Sequence, residues 1–63
     1  MKLEDLIKVL AEDQKVSIDY NYERYTYRVY ELLEDFVFYD EIKDREIKLV
    51  WYSVVYQAQV IEI

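Results

Sequence analysis

Residues 16–30, VSIDYNYERYTYRVY, decide how this chain is read. Val16, Ile18 and Tyr20 alternate with Ser17, Asp19 and Asn21, and Tyr25, Tyr27 and Val29 alternate with Thr26, Arg28 and Tyr30. Alternation at period two is the pattern of a strand with one face buried. The intervening Asn21-Tyr22-Glu23-Arg24 has the length and polarity of a hairpin turn, here four residues in type I geometry, because the chain has no glycine to supply positive φ. Asp19 and Arg28 are the expected cross-strand ion pair on the outer face.

Upstream, Leu3, Leu6, Ile7 and Leu10 fall at i, i+3, i+4 and i+7, the stripe of an amphipathic helix over about residues 2–12. Glu4 and Asp5 occupy its first turn, where the macrodipole favours acids. Downstream, residues 30–41 carry two signals. Leu32, Leu33, Phe36 and Val37 have helical spacing, whereas Phe36-Val37-Phe38-Tyr39 has strand composition. One helical turn over 31–35 followed by a strand over 36–41 is the expectation. Ile47, Leu49 and Trp51 alternate into a further strand, the chain reverses near residues 55–57, and residues 57–63 continue or pair with it. The fold class expected is α+β: one N-terminal helix on an antiparallel sheet of four or five strands, with residues 1–63 as a single domain.

Composition limits what such a domain does. A chain of 63 residues buries only about 60% of the surface its unfolded form exposes. It contains no cysteine and no histidine, so neither a disulfide nor a thiolate metal site supports it, and the commonest general base is missing. Ser17, Thr26 and Ser53 therefore have no histidine partner, and no phosphate-binding glycine loop exists. Asp40, Glu41 and Asp44 lack the spacing and the glycine of a calcium-binding loop. The expectation is a protein that is not an enzyme and uses no metal or cofactor. The start MKLED is unlike a secretion signal, and the apolar run 49–56 is too short for a bilayer, so a cytoplasmic protein with no membrane partner is expected.

Charge points to a partner. Residues 31–46, ELLEDFVFYDEIKDRE, hold seven acids and two bases, a net −5 of the chain's −6. Such a balance disfavours direct binding of nucleic acid and favours a basic protein surface. Glu31, Glu34, Asp35, Asp40, Glu41 and Asp44 are the candidate partner-binding carboxylates, with Phe38 and Tyr39 adding apolar contact around them. An acidic surface that simply keeps a tyrosine-rich protein soluble is the alternative explanation of the same charges. Eight tyrosines exceed what so small a core satisfies. Tyr20, Tyr25 and Tyr27 are expected to pack in the fold, and Tyr22, Tyr30, Tyr39, Tyr52 and Tyr56 to face a partner.

The opening MKLEDLIKVL, the following KVSID and the short tyrosine-rich strands resemble the small proteins of bacteriophage accessory regions, and among them the anti-CRISPR inhibitors. These include tiny acidic α+β proteins that occupy the DNA-binding cleft of a CRISPR nuclease. The resemblance is one of organisation, without a shared motif. It implies a host nuclease as partner, and carboxylates that engage the arginines reading the protospacer-adjacent duplex. A second expectation comes from the small core and the β-rich end Val60-Ile61-Glu62-Ile63: a homo-oligomeric assembly module such as a homodimer, pairing through residues 57–63 across a twofold.

Overall fold

The computed structural model describes all 63 residues and has the expected α+β class in one domain. Helix α1 (Leu3–Val9) leads into strands β1 (Lys15–Tyr20) and β2 (Glu23–Arg28). Helices α2 (Val29–Asp35) and α3 (Tyr39–Ile42) follow, then strands β3 (Leu49–Ser53) and β4 (Ala58–Glu62). No helix is long and apolar enough to cross a membrane.

The sheet departs from the expected antiparallel one. Its order is β2-β1-β4-β3, with β1 and β4 parallel and both other pairings antiparallel. Burial explains the order. Val16, Ser17 and Ile18 are consecutive and fully buried, as are Val60 and Ile61, so β1 and β4 take the centre, with the helices over one face and neighbouring strand side chains such as Thr26 and Trp51 shielding the other. The helical connection over residues 29–48 carries the chain past β1 far enough for β3 to form an outer edge, and the reversal at residues 54–57 brings β4 back into the gap. The C-terminal strand therefore has a neighbour on each side and cannot pair across a twofold. That premise of the assembly reading is corrected: the free edges belong to β2 and β3.

The hairpin turn is also tighter than expected. Tyr20 is paired with Glu23, leaving a two-residue loop in which Asn21 and Tyr22 have φ of 55° and 66°. Positive φ at both central residues is the I′ arrangement, whose twist matches that of the strands, and here sheet geometry imposes it without glycine. The register consequently sets Asp19 opposite Arg24, not Arg28. Arg24 Nε and Nη2 donate to the two Asp19 carboxylate oxygens at 2.6 and 3.0 Å, while Arg28 donates to the Asp13 carbonyl. Left-handed backbone costs a residue with a Cβ about 1–2 kcal/mol. Tyr22→Gly is thus expected to raise stability by about 0.5–1 kcal/mol, the relief being partly offset by glycine's extra unfolded freedom. A urea midpoint that stays put or falls would show that the turn is not strained.

One face of the sheet carries the three helices. The core joins Leu3 and Ile7 of α1, Val16 and Ile18 of β1, Val29 and Leu32 of α2, then Phe36, Tyr39, Ile42, Ile61 and Ile63, with Tyr20, Tyr25 and Tyr27 packed against it as the alternation predicted. Helix α1 is shorter than its apolar stripe suggested, because Leu10 already has extended backbone. The opposite face has no helical cover. There Ser17 Oγ and Thr26 Oγ1 are 3.0 Å apart, and Trp51 Nε1 donates to Glu62 Oε2 at 2.9 Å. The Arg24 guanidinium lies 5.7 Å from the Trp51 ring centre and 5.2 Å from that of Tyr56, contacts of the cation–π kind.

Candidate functional site: the acidic helical layer

The acidic stretch is built on two short helices, not on a helix and a strand. Glu31 sits at the third position of α2, where its Oε1 accepts the Arg28 backbone N–H at 2.9 Å. That bond satisfies a donor the helix leaves open, so this carboxylate is spent on holding α2 in place. Glu34 and Asp35 lie exposed on the last turn of α2.

The expected strand over 36–41 is absent. Residues 36–38 turn the chain and α3 begins at Tyr39. The reason is burial: Phe36 and Tyr39 are 4% and 6% exposed, and an alternating strand cannot turn both residues and Ile42 inward. Positions 39 and 42 instead share one helical face. Two candidate residues are corrected by this. Tyr39 is core, and Phe38 is half-buried among Tyr20, Tyr25 and Phe36, with ring centres 5.9–6.2 Å apart. Neither gives an aromatic rim to the carboxylates. Burial pushes the Tyr39 hydroxyl above the usual tyrosine pKa, and the neighbouring Glu4 and Asp40 charges add to the shift. The group stays neutral.

Helix α3 brings Asp40 and Glu41 to the surface, and Asp44 follows in the next turn. Asp40 Oδ1 is 3.7 Å from Lys43 Nζ, an exposed pair worth little. Glu34, Asp35, Glu41 and Asp44 have no cation within 4.0 Å. Asp40, Glu41 and Asp44 do not converge as a set that could hold a metal ion. The segment after α3 is tied to the start of the chain, with Leu3 N–H donating to the Arg45 carbonyl, Glu4 N–H to that of Lys43, and Ile47 N–H to that of Met1. These bonds hold the acidic turns against α1.

Charge is divided between the layers. The strands contain three acids (Asp19, Glu23, Glu62) and three bases (Lys15, Arg24, Arg28), so the whole net −6 lies in the helices and connections. Between the three helices runs a groove of about 520 Å³, lined by Ile7, Leu10, Val29 and Leu33, with the acids Glu4, Glu12 and Asp40 and the bases Lys8 and Lys43 beside them. Of the six candidate carboxylates only Asp40 borders it. Glu4 and Glu12, outside the acidic stretch in sequence, join the same surface. Their distance along the chain hid them, although the i, i+3, i+4 pattern of α1 does place Glu4 on its polar side. Among the tyrosines assigned to a partner, Tyr22, Tyr30, Tyr52 and Tyr56 are exposed as expected, and Tyr39 is not. No protein-family model, curated protein or solved structure matches this chain.

Proposed function

We propose that this protein is a stoichiometric inhibitor that occupies the basic nucleic-acid-binding surface of a host defence nuclease, a CRISPR effector in the first instance, in the cytoplasm of the host cell. The observation that carries this reading is the separation of charge: all of the net −6 lies on one layer, and four of its carboxylates have no cation of their own. Unpaired carboxylates on a rigid layer can take the bidentate fork of arginines that otherwise grip phosphate or guanine. The organisational resemblance to anti-CRISPR inhibitors points the same way. Glu34, Asp35, Asp40, Glu41 and Asp44 carry the contact, and Glu31 supports it by fixing α2.

The test uses a purified effector nuclease, immobilised inhibitor, low and high salt, and competing duplex. Wild-type capture should fall with salt and with duplex, as it does for surfaces that bind phosphate. Changing Glu34, Asp35 and Asp40 together to Ala should weaken binding by at least about 100-fold, about 1 kcal/mol or more per lost charge pair. All three side chains are exposed, so the fold should survive the change. Binding at full strength by the folded triple variant would end the acidic-surface mechanism.

A further inference from the structure

The two edges of the sheet are unequally guarded. Strand β2 carries Glu23, Arg24 and Arg28, charges that discourage another strand from adding to it. Strand β3, LVWYS, carries none, and no charged residue occurs between Lys48 and Glu62. It pairs only with β4, so its outer edge has no partner within the chain. Seven of the eight residues in 49–56 are large and apolar or aromatic, and all seven are exposed, between 39% and 87%. The two faces contribute differently. Val50 and Tyr52 lie on the helical side beyond the reach of the helices, and Leu49 and Trp51 lie on the uncovered side.

We infer that a second copy of this chain docks here, β3 against β3 in antiparallel register, to form a continuous eight-stranded sheet. An antiparallel edge is self-complementary about a twofold. Centring the axis on Trp51 sets Val50 of one copy opposite Tyr52 of the other, and Leu49 opposite Ser53. Charge permits the same occupant: two copies of a −6 molecule repel through their helical layers, whereas β3 adds no charge of its own, and the Arg24 and Glu62 groups that lie against Trp51 and Tyr56 are opposite in sign. Edge pairing covers at most the exposed parts of Leu49, Val50, Trp51 and Tyr52, 39–55% of each, so the interface is smaller than the ~800 Å² per partner of a standard one and the dimer is expected to be weak. The axis stands perpendicular to the sheet, so both acidic layers face the same side and remain free.

Sedimentation equilibrium over a concentration series tests the inference. The wild type should reach twice the 7.8 kDa monomer mass at high micromolar concentration. Added salt should tighten the dimer by screening the acidic layers, the opposite of its effect on binding a basic partner. Tyr52→Lys places a charge in the edge at a side chain that is 55% exposed and should raise the dissociation constant about tenfold or more. Val50→Lys should do the same, and circular dichroism checks that both remain folded. Val37→Lys, an equally apolar but helical-side position, should leave the dimer intact. A wild type that stays monomeric throughout would overturn the inference, even if it captured an extended peptide. So would folded Tyr52→Lys and Val50→Lys proteins that dimerise normally, or a Val37→Lys protein that does not. Because this surface excludes the acidic carboxylates, its failure leaves the inhibitor reading untouched, and the reverse also holds.

Discussion

Replacing Phe36 by Ala is expected to remove about 3–5 kcal/mol of folding stability, enough to leave much of the protein unfolded at physiological temperature. A domain of this length has about 3–9 kcal/mol in total, at roughly 0.05–0.15 kcal/mol per residue. Phe36 stacks on Tyr27 at a ring-centre distance of 5.3 Å, meets Tyr25 at 4.9 Å, and stands edge-on to Phe38 at 6.1 Å. Deleting it removes a buried ring and opens a hole between the sheet and the second layer. Tyr25, Tyr27 and Phe38 around it are only partly buried, and how far they close over the space sets where in that range the cost falls. Urea unfolding followed by circular dichroism measures the loss. A value under about 1 kcal/mol would mean that the aromatic group repacks freely and that Phe36 is not its hub.

The second large effect is expected at Ile42, where substitution by Ala should cost about 2–5 kcal/mol. Helix α3 has four residues, too few to be stable by itself. It is held by Tyr39 and by Ile42, whose side chain is fully buried. Trimming Ile42 loosens the element that presents Asp40 and Glu41. Glu41→Ala, on the exposed side of the same turn, should change stability by less than about 0.5 kcal/mol. Comparing the two by thermal melting separates the anchoring role from the surface role. Equal effects would mean that α3 is not anchored through its apolar side.

Much of this architecture is legible in the chain. The stripe Leu3, Leu6, Ile7, Leu10 marks the first helix, and the alternations around Ile18 and Tyr25 mark the hairpin. The α+β class follows from those two elements. The turn is not legible, because Asn21 and Tyr22 adopt a backbone that residue type disfavours and only strand register requires. The segment 36–42 misleads because aromatic residues raise strand propensity wherever they fall, whereas the deciding fact is which of them the core has room for. The parallel pairing of β1 with β4 is not legible: Val16-Ser17-Ile18 reads as a strand with one buried face, and the full burial of Ser17 emerges only from its central place in the sheet. The candidate site divides along the same line. Its charges can be counted in the sequence, but the inward turn of Phe38 and Tyr39, and the use of Glu31 as a helix support, depend on packing that no local pattern encodes.

The strand order also governs how the molecule comes together in time. The hairpins β1–β2 and β3–β4 each close over a few residues and can form early and separately. Joining them requires Val16 to find Gln59 across most of the chain, a closure that costs entropy before any contact repays it. The parallel β1–β4 seam is therefore the most expensive contact of the sheet to close. Any chain in which that seam is open exposes the segment between Lys48 and Glu62, which has nothing charged to keep it from its own kind.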